Sequence, residues 1–449
     1  MARRFAFLLS LVMVAFLTTA NAQWKYAKVF PDTNLTLSTG LNNCMTTDPT
    51  GRVWIMPYTG NVDSVKTAAG TYAYCWHFYV YNPDGSLYKT YGPILDFNGT
   101  PDTLFTAAAG YGMTNDHEGN IVAVKNSLTI RKIDYQTGKE IARSAVSPIP
   151  GYASSMTSPM CDAADELFIT SVIPTTGVGP VAFSSDFSTV LISVDTSMYG
   201  AYSRNVTVTA DGNDVWVHHI GLGSLHYHSD NGTLGPYVLD PDTAFKDLVI
   251  ESSAWQPKTG WLWVSSGNVT SGMPNPPYSG YAWYGFDMTN RTTPVLKDSI
   301  VWNPNTGLAA DLISADPRPR GIAFSPSGDT AYVAAFSPRK GFIEMFTGKV
   351  NAISQPPSSL PSSYSLSQNY PNPFNPTTKI DYTLMAGSKV TLAVYDVLGR
   401  EVATIVNAYQ PAGLHSVSFD ASRLSSGIYI YTLKTSNGVT ITKKMVLMK

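Results

Sequence analysis

Between Gln23 and Val350 apolar residues recur in short alternating runs broken by tight turns, and one phrase returns six times. It reads Cys44-Met-Thr-Thr-Asp-Pro-Thr-Gly-Arg-Val-Trp-Ile55, Gly112-Met-Thr-Asn-Asp-His-Glu-Gly-Asn-Ile-Val-Ala-Val124 and Met160-Cys-Asp-Ala-Ala-Asp-Glu-Leu-Phe-Ile169 in the first half. It returns as Val206-Thr-Val-Thr-Ala-Asp-Gly-Asn-Asp-Val-Trp-Val217, Ser253-Ala-Trp-Gln-Pro-Lys-Thr-Gly-Trp-Leu-Trp-Val264 and Ile322-Ala-Phe-Ser-Pro-Ser-Gly-Asp-Thr-Ala-Tyr-Val333. Most intervals are about 47 residues, the mark of a radial or stacked repeat. Each copy predicts a strand, a turn and a second strand, with room for two more. Tyr72 to Tyr81, the turn Asn82-Pro-Asp-Gly85 and Ser86 to Tyr91 supply a third and fourth strand for the first copy. Leu128 to Gly138, Ser224 to Gly232 and Tyr281 to Asn290 repeat that layout, with Asn, Asp and Gly where a hairpin turn needs them.

Burial converts these hairpins into an architecture. Val53/Ile55, Val122/Val124, Val215/Val217 and Leu262/Val264 alternate with Trp54, Ala123, Trp216 and Trp263, so both faces of each sheet are apolar and need cover. Four-stranded sheets packed face to face in a ring provide it. The sixth copy lacks an outermost strand after Phe342-Ile-Glu-Met-Phe346, and Trp24-Lys-Tyr-Ala-Lys-Val-Phe30 has no assigned neighbour; pairing the two closes the ring and removes an exposed edge. The fold predicted for residues 23–351 is therefore an all-β propeller of six blades, with seven as the alternative count.

The texture changes after Val350. The tract Ser354-Gln-Pro-Pro-Ser-Ser-Leu-Pro-Ser-Ser363 cannot build a core and predicts an extended linker over 352–363. Beyond it Lys379 to Leu384, Val390 to Tyr395, His415 to Phe419, Gly427 to Leu433 and Val439 to Met448 alternate at period two, with Gly399, Gly413 and Gly438 at turns. That pattern predicts a small immunoglobulin-like β-sandwich over 364–449. At the other end Arg3 and Arg4 precede an apolar run from Phe5 to Leu17, and Ala20-Asn21-Ala22 offers small residues for cleavage before Gln23. Residues 1–22 thus have the three parts of a secretory signal peptide. The apolar run is shorter than the roughly twenty residues a membrane span needs, and the mature chain is expected to be soluble.

Composition adds constraints. The chain has 449 residues, of which 14% are charged and 12% aromatic, with 35 Gly and 30 Pro, a balance that suits turn-rich exported β folds. A formal net charge of −2 provides no general attraction for nucleic acid or anionic lipid, both of which need clustered Lys and Arg. Cys44, Cys75 and Cys161 make an odd number. With Cys44 and Cys75 on the first and third strands of one sheet, about 10 Å apart at the usual strand spacing, they are beyond disulfide reach and are expected to be buried thiols.

Local catalytic motifs are missing from the sequence. There is no Gly-x-Ser-x-Gly elbow, no phosphate-cradling glycine loop and no Cys-x-x-Cys pair. The best metal candidates are His218, His226 and His228, because period two places His226 and His228 on one face and His218 or His219 meets them from the neighbouring strand. Hydrogen-bonding imidazoles on a polar strand are the favoured reading of the same group, and no cofactor is predicted. Asp48, Asp116, Asp162 and Asp211 stand where an aspartate caps its own turn, which is preferred over calcium ligation. An insertion from Ser266 to Tyr284 is aromatic and Pro-rich; Tyr278, Trp283 and Tyr284 are its candidates for gripping a glycan or peptide, against the alternative of filling the gap between blades. A second insertion runs from Tyr58 to Tyr74. Six Asn-x-Thr strings, from Asn34 to Asn290, are assigned no role.

The C-terminal wording carries a family resemblance. Leu366-Ser-Gln-Asn-Tyr-Pro-Asn-Pro-Phe-Asn-Pro-Thr-Thr-Lys-Ile380, Val394-Tyr-Asp-Val-Leu-Gly-Arg-Glu-Val402, Gln410-Pro-Ala-Gly-Leu-His415, Ser426-Gly-Ile-Tyr429 and Lys443-Lys-Met-Val-Leu-Met-Lys449 resemble the type A C-terminal sorting domain of bacterial type IX secretion. The resemblance implies passage through the periplasm to the cell surface or beyond, with the type IX outer-membrane translocon and sortase as partners and surface lipopolysaccharide as a conceivable anchor. On the same ground Pro371, Asn372, Pro373, Phe374, Gly399, Gly413, Gly427, Lys443 and Lys444 are the residues expected to carry sorting. The repeats themselves resemble sensor propellers with Asp-x-x-Gly-x-Leu-Trp-Ile wording, through Asp48 to Ile55, and the Tyr-Val-Thr-Asn class of surface and lactonase-like propellers, through Ile322 to Val333. Fold does not decide activity. The expected role is a non-catalytic binding module for a glycan or protein ligand; the alternatives are a propeller hydrolase or lactonase with a metal at the channel mouth, and a structural surface-layer component.

Overall fold

The computed structural model describes residues 24–31, 45–56, 63–66, 69–75, 77–92, 94–103, 110–125, 129–145, 156–171, 179–194, 203–219, 223–241, 244–267, 278, 282–302, 318–336, 343–348, 364–384, 388–410, 413–436 and 438–449. The signal-peptide reading of residues 1–22, the linker 352–363 and Cys44 lie outside them. Contacts divide the chain into two compact units: Met1–Thr114, Ile121–Met160 and Leu167–Asn351 form the first, and Ala352–Lys449 forms the second together with the short segments Asn115–Asn120 and Cys161–Glu166.

The first unit contains six antiparallel four-stranded sheets among the described residues. The first sheet runs Met45–Thr47, Val53–Ile55, Phe78–Tyr81 and Leu87–Tyr91; the second runs Gly110–Asn115, Ile121–Lys125, Ile130–Ile133 and Glu140–Arg143. The third is Met156–Cys161, Leu167–Ser171, Val181–Phe183 and Val190–Ser193, and the fourth is Ser203–Val208, Asp214–His219, Gly223–His228 and Val238–Asp240. The fifth is Ser253–Trp255, Leu262–Ser266, Ala282–Asp287 and Val295–Val301. Each sheet meanders in chain order. The sixth does not: Arg318–Phe324, Thr330–Phe336 and Ile343–Gly348 take their fourth strand from the other end of the unit, Trp24–Phe30. Trp24 pairs with Gly348 and Phe30 with Ile343, the closure expected from the sequence.

One cavity shows that the sheets share an axis. Met45, Met113, Ser158, Asn205, Ser253 and Gly321 all line it, one residue from the first strand of each of the six sheets. Strands meet around a common centre in this way in a β-propeller. Between neighbouring sheets lie large buried residues: Trp54, Trp216, Trp263 and Trp283 are completely covered. Such sheets have no solvated face, which is why the strand centres Val53–Ile55 and Leu262–Ser266 are apolar or small throughout. At the closure, Phe30 packs edge-on against Tyr332 of the sixth sheet at 4.8 Å and Tyr81 of the first at 6.2 Å.

The turn aspartates cap their own backbones. Asp48 Oδ1 accepts hydrogen bonds from the Thr50 and Arg52 amides, and its Oδ2 accepts from Trp54 Nε1 at 3.0 Å. Asp116 accepts from the Asn120 amide, Asp162 from those of Ala164 and Glu166, and Asp211 from that of Asn213.

The structure corrects one strand. Tyr72 to Tyr81 is not continuous: Tyr72–Cys75 pairs with Asp63–Lys66 in a separate hairpin, and only Phe78–Tyr81 joins the sheet. The sheet's second strand is three residues long and its ladder is used up by Tyr79, Val80 and Tyr81, so the preceding residues pair within their own insertion. Cys75 is therefore buried outside the third strand, whereas Cys161, expected to be buried, is half-buried.

The second unit packs a three-stranded sheet, Ser365–Leu366, Thr377–Leu384 and Gly413–Asp420, against a four-stranded one in the order Glu401–Gln410, Ser388–Tyr395, Gly427–Thr435, Thr440–Leu447. Their inner faces share one core that includes Ile380, Tyr382, Leu392, Val394, Tyr431 and Met445. This is a β-sandwich. The strand Glu401–Gln410 was not expected from the sequence.

Candidate functional site

Antiparallel order sorts the propeller's connections by length. First-to-second-strand turns are tight, as at Asp48–Arg52 and Ser325–Thr330. The longest connections leave from the opposite end: Ile55 to Phe78, Ser266 to Ala282, Tyr91 to Gly110, Asp240 to Ser253 and Val301 to Arg318. Function on a rigid scaffold concentrates in such loops.

The axial cavity measures about 30 Å³ and is lined by Met45, Met113, Ser158, Pro159, Met160, Asn205, Ser252, Ser253, Gly321 and Ile322. Thioether, hydroxyl, amide and alkyl groups make up that lining; none of those side chains is a carboxylate or an imidazole. Ser252 Oγ is buried and has no hydrogen-bond partner among the described residues. Asn205 is fixed by a relay. Thr207 Oγ1 donates to Ser253 Oγ at 2.7 Å, and Ser253 Oγ donates to Asn205 Oδ1 at 2.7 Å. His218 Nε2 lies 2.9 Å from Thr207 Oγ1 and its Nδ1 2.7 Å from Ser224 Oγ, so each ring nitrogen has a hydroxyl partner. Complete burial, and secondarily the adjacent His219, pushes the His218 imidazole down to about 3, so it is neutral near pH 7.

The predicted histidine group is thus divided between two tasks. The ladder pairs His218 with Ser224, Trp216 with His226 and Asp214 with His228, which sets all three imidazoles on one face as period two requires. His226 Nε2 and His228 Nδ1 both bind Asp214 Oδ1, at 2.8 and 3.0 Å, while His226 stacks on Trp216 at 4.4 Å. Arg291, from the fifth sheet, holds the other oxygen of Asp214 and also reaches Asp211 at 2.9 Å. Among the described residues no group of three or more His, Cys, Asp or Glu side chains is placed to hold one metal ion.

The aromatic candidates are mostly interior. Trp283 is fully buried among Trp263, Trp302 and neighbouring apolar residues, and Tyr284 is 8% exposed. Tyr278 is half-buried and meets Tyr284 edge-on at 5.0 Å; burial first, then Asp247 and Tyr284, raises its phenol above the ordinary range. Of the three, Tyr278 is the one with solvent access.

Sequence reasoning missed Asn205 and Ser252 at the axis and the buried ion pair of Glu251 with Arg320, which ties the fifth sheet to the sixth. No local string announces them, because they are separated in sequence and assembled by the ring.

In the sandwich, the predicted sorting residues split by environment. Phe374 is 2% exposed and joins the core, whereas Pro371, Pro373, Lys443 and Lys444 are exposed. Asn372 accepts a hydrogen bond from the Val446 amide at 2.9 Å. Gly399 sits at φ +79° in the turn that Asp396 caps through the Leu398 and Arg400 amides, a conformation that other residues rarely adopt. Gly413 and Gly427 begin strands.

Comparison with known proteins assigns this second unit. None of the curated protein sequences matches the chain. Solved structures similar to it include the type IX secretion surface component PorZ of Porphyromonas gingivalis, 14% identical over 90% of this chain and 59% of that one, with a TM-score of 0.37. Others are the extracellular domain of the putative hybrid two-component system BT3049 from B. thetaiotaomicron (12% identity, 95% and 57% coverage, TM-score 0.41) and the Cps50 (Swd1) β-propeller domain of Myceliophteria thermophila (9%, 72% and 99%, 0.42). The chain spans less than two thirds of the length of PorZ and of the BT3049 domain. Residues 368–448 match the family described as the secretion system C-terminal sorting domain. The tail of this chain is such a domain, and the protein is exported by type IX secretion to the extracellular space or cell surface.

Proposed function

We propose that the exported protein presents a six-bladed propeller as a non-catalytic binding module, with ligand contacts on the end that carries the long connections. The observation that carries this reading is the axial lining, which offers one carboxamide and several hydroxyl and thioether groups around about 30 Å³, with no carboxylate, imidazole or thiolate among the described lining side chains. Hydrolysis needs a positioned general base or a metal-activated water. Binding needs neither. Tyr278, half-buried against the apolar cluster of the fifth sheet, is the aromatic candidate with solvent access and is assigned to stacking on a sugar or a peptide proline. For the tail, the exposed Pro371, Pro373, Lys443 and Lys444 are assigned to recognition by the type IX translocon and sortase, with release or attachment to lipopolysaccharide as the last step.

The test is a glycan and peptide array probed with the mature protein, run beside a panel of ester and lactone substrates with and without added divalent metal. Saturable binding that weakens on Tyr278→Ala, with no turnover above a heat-treated control, is the expected result. Metal-dependent hydrolysis would overturn the reading in favour of the lactonase-like alternative.

A further inference from the structure

The sorting motif Asn369 to Phe374 lies along the last strand of the chain, and its bonds are directed there. Thr440–Leu447 is an edge strand of its sheet, paired on one side with Gly427–Thr435 only. An open edge exposes a row of amides and carbonyls. Along the other side, Gln368 Nε2 donates to the Lys444 carbonyl at 2.6 Å, the Val446 amide donates to Asn372 Oδ1 at 2.9 Å, and the Phe374 amide donates to the Val446 carbonyl at 3.0 Å. The Met448 amide then donates to the Phe374 carbonyl at 3.0 Å, and Phe374 bridges Leu447 in parallel. The partners advance together, 368 to 444, 372 to 446 and 374 to 448, so the motif acts as a short parallel strand in which the Asn372 side chain replaces a missing backbone acceptor.

The motif is itself pinned from behind. Asn369 Nδ2 donates to the Pro371 carbonyl and to Thr378 Oγ1, both at 3.0 Å, and the Asn369 amide donates to Tyr431 Oη at 2.9 Å. The Phe374 ring is buried in the core shared by both sheets. Asn369, Asn372 and Phe374 therefore face the protein.

We propose that Asn372, with Phe374, is a positioning residue for export: it latches the final strand so that the terminal residues Lys443 to Lys449 are presented in one fixed register. The assignment goes beyond the sorting role of the domain and rests on it. In this account Asn372 need not touch the export machinery, and what the machinery requires is the latched strand end.

The test uses the full chain in its exporting host, with Asn372→Ala, Asn372→Asp, Val390→Ala and a tail deletion ending at Asn351. Asp retains an acceptor oxygen at the position of Oδ1, and Val390 loosens the same core from the strand end opposite Leu447, since it pairs with Thr435. Amide exchange at Val446 in the purified chain and the fraction of protein reaching the exterior are measured together. Asn372→Ala should speed Val446 exchange at least fivefold and cut export severalfold, Asn372→Asp should restore both, and Val390→Ala should leave export near the wild-type level. The latch is overturned if Asn372→Ala leaves Val446 protected, if it frees Val446 yet exports normally, or if Val390→Ala impairs export as much. Normal export of the tail-deleted chain would instead overturn the sorting assignment itself.

Discussion

Phe30 is the residue on which ring closure bears most directly, and its truncation has a calculable cost. It is 1% exposed, it belongs to the strand borrowed from the start of the first unit, and its ring meets Tyr332 of the sixth sheet and Tyr81 of the first. Phe30→Ala removes a complete aromatic side chain from a packed seam that also contains Met45, Val53, Ile55, Ala334 and Ile343. Buried Phe→Ala substitutions cost about 3–5 kcal/mol, and loss of the two edge-on ring contacts falls within that range because the seam is only partly able to collapse. The loss is borne by the strand that closes the ring, so it should be read locally. Hydrogen exchange of the amides in Trp24–Phe30 and Ile343–Gly348 should accelerate by two to three orders of magnitude, while the ladder of the third sheet changes little. Lys25→Ala, exposed on the same strand, is the control and should stay within about 0.5 kcal/mol of wild type in stability. If Phe30→Ala were no worse than Lys25→Ala, or if exchange rose equally in all sheets, the closing role of this strand would be refuted.

Other predictions concern sites the ring assembles. His218 is neutral in the fold down to about pH 3, whereas an unfolded histidine takes a proton near 6.5, so the stability it contributes is complete above pH 6.5 and is lost as pH falls toward 3. At pH 5 that loss is about 2 kcal/mol, and His218→Gln should flatten the fall in melting temperature between pH 6.5 and 5; an unchanged slope would contradict the assignment. Asp48→Ala leaves Trp54 Nε1 and two turn amides without their acceptor, and denaturant titration should show a loss of about 2 kcal/mol, with Asp48→Asn recovering part of it. Gly138 has φ +73°, and a methyl there would lie 2.0 Å from the Tyr91 ring of the neighbouring sheet. Gly138→Ala should therefore destabilise by more than about 1 kcal/mol in the same titration, and Tyr91→Ala in the same chain should reduce that cost.

Much of the fold was legible because the two physical signals it depends on are local. Alternation of Val53, Trp54 and Ile55, or of Leu262, Trp263 and Val264, announces strands buried on both faces, and the unpaired Trp24–Phe30 run announces its own use as the missing edge. The separation of Tyr72–Cys75 from Phe78–Tyr81 was not legible, since the aromatic run from Tyr72 to Tyr81 has strand character throughout and only the three-residue length of its partner limits the pairing. Glu401–Gln410 was hidden for a different reason. Its pairing with Ser388–Tyr395 contains two register shifts, and Val402, Ala403, Ile405 and Val406 consequently break period two. The turn aspartates were readable as caps because each acts within six residues. Asn205, Ser252, Glu251 and Arg320 were not, because ring geometry alone brings them together. Trp283 illustrates a further limit: an aromatic at the end of an insertion has the same spelling whether it binds a ligand or fills a seam, and here it is covered on all sides.

The most direct test of the account is the fate of the protein when the chain is ended at Asn351 in a host with a working type IX pathway. The account predicts a folded propeller with unchanged protection of the Trp24–Phe30 amides that accumulates in the periplasm and is missing from the surface and the medium. A truncated chain reaching the exterior at the level of the intact protein would contradict it.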